Sequence, residues 1–456
     1  MSTIVGIATA PGIGGIGIIR MSGEKTFEIL DKIFIPKTKQ DISEIKGYSI
    51  KYGNVVENNK IIDEVLVSYF KTPKSYTTEN MCEINTHGGN IVVKKILELC
   101  LKNGAEMAEP GEFTKRAFLN GRIDLLQAES VIDIIDAKSE RELKAGMNQL
   151  EGRVSKEIHD IKQKIMDVMV NVEVDIDYPE YDVEEVTNTE INEMLDVVIA
   201  DLSRLEKSFD NGKILKDGVK TAIIGKPNAG KSSLLNCILN EERAIVTEIE
   251  GTTRDTIEEF VTVEGVPLKL IDTAGIREAK DEVEKIGITK SKEIAKDADL
   301  IIAIFDSSKD LTDEDKEILD IIKNKTAIVV LNKMDLLNKI DENMAEIKNV
   351  SKYIVKMSTL EQKGIDDLYK SIGNLFSMEE ISLDNTIVIT NIRHKNLISK
   401  ALNSCREAKK SMELGMPLDI IAIFLKEILE NLGEITGETV TDDIIDEIFS
   451  KFCLGK

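Results

Sequence analysis

Hydrophobic positions change rhythm three times along the chain. Over residues 1–118 they come in short β-rich runs at 3–8, 17–21 and 64–70. Gly and Pro lie between them, with one helix-like stretch at 90–101. That texture predicts a compact α+β domain. Over 119–216 the period lengthens. Leu125, Ala128, Ile132 and Ile135 recur at helical spacing, and Asp124 with Gln127 resembles the capping box that opens a helix. The segment 175–182, DIDYPEYD, holds the region's only proline and marks a helix end. Over 217–377 strand and helix signals alternate, as a parallel α/β domain requires. The apolar runs 221–225, 268–272, 300–306 and 326–332 each end at polar chemistry. Over 378–456 helices return. Ile420, Phe424, Ile428 and Leu432 mark one helix, closed by Gly433. Ile444, Ile448 and Phe452 mark another, with Thr441 as its N-cap. Helical texture on both sides of 217–377 predicts one helical domain, 119–216 plus 378–456, interrupted by the α/β domain.

The 456 residues are enough for several cores, and 42 % apolar content is that of a globular chain. The 59 basic and 82 acidic side chains leave a formal charge of −23. Such a chain repels phosphate polymers at long range, so any contact with nucleic acid must come from a local basic patch or a partner. Cys82, Cys100, Cys237, Cys405 and Cys453 form no CxxC pair, which argues against a zinc site or a disulfide framework. The N-terminus lacks a basic segment followed by a long apolar core, and no apolar run approaches the ~18 residues of a membrane span. A cytoplasmic protein with no membrane association is expected.

The chemistry is concentrated in 217–377. Gly225-Lys-Pro-Asn-Ala-Gly-Lys-Ser232 fits GxxxxGK[ST], after the apolar run Ala222-Ile-Ile and before the helical Ser233-Leu-Leu-Asn. In strand–loop–helix context the backbone N–H groups of Asn228, Ala229, Gly230 and their neighbours cradle a β-phosphate. Lys231 reaches the β- and γ-oxygens, the Ser232 hydroxyl binds Mg²⁺, and Ser233, opening the helical segment, joins them in the GTP site. Asp272-Thr273-Ala274-Gly275 follows the apolar run 268–271. Its aspartate can hold Mg²⁺ through water, and the Gly275 N–H can sense a γ-phosphate. Thr252 and Thr253 lie between the two motifs, where a threonine, Thr253, completes the Mg²⁺ shell. Asn332-Lys333-Met334-Asp335 follows 327–331. A carboxylate there accepts two hydrogen bonds from the N1–H and amino group of guanine, a donor pair that adenine lacks. The expected fold is thus a Ras-like P-loop α/β domain that binds GTP, inserted in a helical domain behind an N-terminal α+β domain.

The position after Gly275, where many small GTPases carry a water-orienting glutamine, holds Ile276. No arginine is obviously placed as a finger, Arg254 and Arg277 being the only candidates, so something else must stabilise the charge on the leaving oxygens. Here a resemblance becomes specific: GKPNAGKS, GTTRD (251–255) and DTAGIRE (272–278) are similar to the MnmE, or TrmE, family of potassium-activated tRNA-modification GTPases. The resemblance implies a K⁺ site of Asn228, Thr247, Ile249 and Thr252. A monovalent cation there can replace an arginine finger. It brings Glu248, Glu250 and Gly251 into the nucleotide site and makes Glu284 the water-orienting acid. Read without the resemblance, Glu284 is a solvated helix-face charge beside Asp281 and Glu282.

The resemblance continues at both ends. The segment 12–17, GIGGIG, matches GxGxxG, but it runs into Ile18-Ile19-Arg20, a strand rather than a helix N-terminus, so a glycine-rich turn is expected and a dinucleotide site is not. The N-terminal segment through Gly23, CEINTHGG (82–89) and the segment 109–129 are similar to the family's folate-binding region. That likeness implies contacts from Arg20, Glu83 and Arg122 to a 5-formyltetrahydrofolate-like ligand, an acid suiting the pterin edge and arginines the glutamate tail. Ile13 departs from the family, where many relatives carry a basic residue. The terminal CLGK resembles the family's CxGK rather than a prenylation signal. It brings Cys453 and Lys456 to the folate site, with Cys453 acting either as a nucleophile or as a group that orients the ligand. The family further implies a homodimer through the N-terminal domain, a heterotetramer with the flavoprotein MnmG (GidA), and tRNA held mostly through that complex. The product is a carboxymethylaminomethyl group at C5 of the wobble uridine. Two rivals stand beside this reading: a ribosome-assembly GTPase of the Era or Der kind, and a GTP-gated scaffold with negligible turnover.

Overall fold

The computed structural model describes residues 2–38, 47–177, 184–239, 259–271, 287–340, 344–376 and 387–456. They form two compact units, one from Met1–Ile132, Gln149–Thr187 and Ser411–Lys456, the other from Asp133–Asn148 and Asn188–Lys410.

The first unit is built on a seven-stranded sheet of β1 (Ile4–Ile7), β2 (Ile16–Ser22), β3 (Phe34–Pro36), β4 (Ser49–Glu57), β5 (Lys60–Phe70), β6 (Met81–His87) and β7 (Glu106–Met107), ordered β3-β4-β5-β6-β2-β1-β7. All neighbours are antiparallel except β1 and β7. Period-two alternation decides the faces. Ile19, Met21, Val65, Val67, Cys82 and Ile84 point into a core shared with the helices Thr26–Ile33 and Asn90–Lys102, while Arg20 and Glu83 stand on the other face. β2 rises straight out of the Gly12–Gly15 segment, so the glycine pattern is a turn into a strand, as expected.

Helices complete this unit. Asp124 and Gln127 close the expected capping box, each accepting the other's main-chain N–H at 2.8 and 3.1 Å. The helix Arg153–Asp177 buries Val154, Ile158, Ile161, Ile165, Met169 and Val172 at spacings of three and four, and packs on Leu418–Thr436. Two expectations about the latter helix need correction. It runs past Gly433 to Thr436, and Gly437, at φ +92°, is the cap, its N–H donating to the Gly433 carbonyl. Gly433 is buried inside the helix, where a Cβ would lie 3.1 Å from Thr439 Oγ1. The buried stripe is Leu418, Ile421, Leu425, Ile428 and Leu432, while Ile420 is exposed. Helix Asp442–Ser450 does start at Thr441, but Ile445, Ile448 and Phe449 form its buried face.

The second unit carries a six-stranded sheet of β8 (Val219–Ile224), β9 (Glu259–Val263), β10 (Val266–Leu270), β11 (Leu300–Asp306), β12 (Ala327–Asn332) and β13 (Tyr353–Lys356), ordered β13-β12-β11-β8-β10-β9. All pairs are parallel except β9 with β10. β11 and β12 are buried along almost their whole length, the mark of a sheet covered on both faces. Cores on the two faces hold Ile302, Ile304, Ile328 and Val330 on one side and Ile301, Ala303, Val329 and Leu331 on the other. This topology delivers the carboxyl ends of β8, β11 and β12 to one edge, the usual place for a ligand in such folds.

Candidate functional site

β8 leads into the phosphate-loop motif, and the helix Lys231–Leu239 starts at its lysine. The two glycines are required by close approach. A Cβ on Gly225 would lie 2.5 Å from the Ile304 carbonyl oxygen, and one on Gly230, at φ +111°, would lie 2.1 Å from Asn332 Nδ2. Between them the chain makes a four-residue turn, the Ala229 N–H donating to the Lys226 carbonyl at 3.3 Å. Pro227 in its second position and Asn228 at φ +63° in its third are the residues a type II turn selects. Asn228, Ser232 and Ser233 are exposed, and Ala229 is buried. The Lys231 ammonium donates to the carbonyls of Gly225 (2.7 Å) and Lys226 (2.8 Å). Burial holds its pKa below the ordinary lysine value, which an adjacent anion would reverse.

β12 ends at the Asn332-Lys333-Met334-Asp335 motif. Asn332, buried at the strand end, donates from Nδ2 to the Ala229 carbonyl (2.8 Å) and accepts the Thr359 N–H at Oδ1 (3.0 Å). One side chain therefore fixes the GxxxxGKS loop to the strand that ends in NKMD. Lys333, at φ +65°, reaches Asp306 Oδ2 at 2.7 Å. Burial alone would raise the Asp306 pKa, but hydrogen bonds from Lys333 and Ser308 outweigh it and hold the carboxyl below its usual value. The Met334 N–H donates to the Met357 carbonyl. Asp335 is exposed, and its Oδ1 accepts the Ser358 hydroxyl at 2.5 Å. Sequence reasoning missed Ser358 and Thr359. Their only signal was the short strand-like run 353–357, YIVKM, followed by Ser-Thr. Thr247, Glu248, Ile249, Glu250, Gly251, Thr252, Thr253, Asp272, Thr273, Ala274, Gly275 and Glu284 lie outside the described residues, as do Arg254 and Arg277. Ile271, the residue before Asp272, is bonded from its N–H to the Thr221 carbonyl beside the phosphate loop's strand.

The first unit gathers a second constellation. β2 and β6 set Arg20 opposite Glu83 in register. The guanidinium donates to Glu83 Oε1 through Nε (2.9 Å) and Nη2 (2.8 Å), and through Nη1 to the Gly455 carbonyl (3.1 Å). Tyr76 and Phe113 flank it, each ring centroid 5.6 Å from the guanidinium carbon, and Arg122 stacks on Tyr76 at 4.5 Å. The tail docks through its main chain. The Phe113 N–H donates to the Lys456 carbonyl and the Gly111 N–H to that of Cys453. Gly455, at φ +84°, lies so close to β1 that a Cβ would fall 2.0 Å from the Ile7 carbonyl oxygen. Arg20, Glu83, Tyr76, Phe113 and the tail thus meet at one place, with Arg122 and Cys453 exposed. Burial pushes the Cys82 thiol well up and those of Cys100 and Cys405 to about 12, so these three are inert packing groups.

Among the described residues no cluster of His, Cys, Asp and Glu forms a metal-binding group, and no helix is long and apolar enough to cross a membrane. The family model described as MnmE helical domain matches residues 125–453, and that described as GTP-binding protein TrmE N-terminus matches 3–122. Over 456 residues the chain is 51 % identical to the tRNA modification GTPase MnmE of Clostridioides difficile (strain 630), spanning 100 % of this chain and 99 % of that one. It is 48 % identical over 459 residues to the protein of that name from Alkaliphilus oremlandii, and 51 % over 458 residues to that from Thermoanaerobacter pseudethanolicus, with the same shares covered. End-to-end matches of this kind overturn the Era or Der alternative. On likeness over its whole length, with the GxxxxGKS loop tied to the strand that ends in NKMD, the chain belongs to the MnmE (TrmE) family of tRNA modification GTPases.

Proposed function

We infer that this chain hydrolyses GTP in the service of tRNA modification. The observation that carries the reading is the bond from Asn332 to Ala229, which sets a triphosphate cradle and a guanine reader on one rigid edge. In this reading Lys231 leaves its two carbonyls for the β- and γ-oxygens of GTP, and Asp335, held by Ser358, selects guanine. The exposed Ser232 hydroxyl at a helix start suits Mg²⁺, with Thr253 as its second ligand and Asp272 behind water. Asn228 offers an amide oxygen at the exposed tip of its turn, a donor that suits an alkali cation. With Thr247, Ile249 and Thr252 it would hold K⁺, which supplies positive charge where the leaving oxygens become negative. Glu284 orients the attacking water. The nucleotide domain spans 217–377.

The Arg20–Glu83 pair between two aromatic rings fits a flat, polar-edged heterocycle. We assign it, with Arg122 and Lys456, to a 5-formyltetrahydrofolate-like one-carbon donor, and place Cys453 beside the one-carbon chemistry. The protein is then a cytoplasmic homodimer through residues 1–118. It works with the flavoprotein MnmG (GidA) to add a carboxymethylaminomethyl group at C5 of the wobble uridine, tRNA being held mostly by the complex. One experiment has two arms. Wobble nucleosides from a deletion strain should lack the modification, and GTP turnover by the purified chain should be at least about tenfold faster in K⁺ than in Na⁺. Intact nucleosides would remove the tRNA assignment; equal, slow rates in both salts would remove the cation mechanism.

A further inference from the structure

The phosphate loop is held at both ends of its turn, and the second tether belongs to no motif. At one end Asn332 grips Ala229. At the other, Lys226 Nζ lies 2.6 Å from Asp315 Oδ2 and 2.7 Å from Thr312 Oγ1. Asp315 is only 4 % exposed, and the same Oδ2 accepts the Thr312 N–H at 2.9 Å, closing the cap of the helix Asp313–Ile322. The carboxylate is therefore fixed by a helix and cannot follow a moving loop. Lys226 is also where the loop's own bonds converge, since its carbonyl accepts both the Ala229 N–H and the Lys231 ammonium. Its placement thus sets the turn that carries Asn228 and the point from which Lys231 departs.

We propose that Asp315, acting through Lys226, is a positioning residue for the phosphate-binding loop. The inference rests on the GTP-binding reading and adds a residue that lies well beyond the loop in sequence. A charge taken from water is held in one place only if its partner stays, so removing either member frees the turn. The loop would then sample arrangements in which its amides no longer converge, and nucleotide would leave faster.

Dissociation of N-methylanthraniloyl-GDP from the full-length chain tests this in wild type, Lys226→Met, Asp315→Asn, the double variant and Lys226→Arg, with thermal melting followed alongside. Lys226→Met and Asp315→Asn should each release the probe about tenfold faster, since affinity changes within one site fall mainly on dissociation. The double variant should be no faster than either single one, because both remove the same contact. Lys226→Arg should behave as wild type. If Asp315 serves only its helix cap, Asp315→Asn will melt early while Lys226→Met releases the probe at the wild-type rate, and the proposal is overturned. Additive effects would overturn it too. Wild-type protein that holds N-methylanthraniloyl-ADP as long as N-methylanthraniloyl-GDP would instead overturn the guanine reading itself.

Discussion

Lys231→Met should lower kcat/KM for GTP on the order of 10³-fold, the scale lost when a positioned donor to a developing negative charge is removed. The expected cause is local. The ammonium sits at the mouth of the loop, bonded to two carbonyls of its own turn, and burial has already weakened its hold on the proton. Methionine keeps the stem and removes the charge, so the melting temperature should barely move. Steady-state turnover and a calorimetric titration with a non-hydrolysable GTP analogue check this. Near-normal turnover would mean that the loop does not carry the γ-phosphate.

Asp335→Asn should produce the second large change, a reversal of base preference. The carboxylate accepts from two donors on guanine, whereas an amide presents one acceptor and one donor group. Xanthine replaces guanine's amino group by a carbonyl, which an amide N–H can serve. GTP affinity should fall by about 10⁴-fold while xanthosine triphosphate gains, the scale of discrimination when a site built to hydrogen-bond one ligand loses the matching group. Competition against a fluorescent nucleotide measures both. Ser358→Ala, which removes the 2.5 Å support of the carboxylate and the acceptor of the Glu361 N–H, should weaken GTP far less and leave the preference unchanged.

Much of this molecule was legible in the chain because its signals are local. The run 300–306 is buried at every position but Asp306, as a doubly covered strand must be, and Asp124 with Gln127 caps its helix as the spacing implied. What stayed hidden depends on distant partners. Gly433 looked like a helix end, but Thr439, packed against it, uses its missing side chain, and Gly437 makes the left-handed cap. Arg116, inside TKRAF, is 3 % exposed and paired with Glu79 and Glu112, and Glu79 lies far from it in sequence. Ser358 and Asp315 announce nothing in sequence, because a serine after an apolar run and an aspartate in an acidic first turn are common. Only the fold, through β13 and the helix Asp313–Ile322, brings them against Asp335 and Lys226. The Arg20–Glu83 pair depends on the β2–β6 register, which neither strand encodes alone.

The central claim is that one edge of the six-stranded sheet binds a triphosphate and reads guanine. A competition titration of the purified full-length chain, with a fluorescent GDP analogue displaced by GTP or by ATP in Mg²⁺ and K⁺, tests it most directly. The account predicts displacement by GTP at concentrations at least about 10³-fold lower than by ATP; equal displacement by the two nucleotides would contradict it.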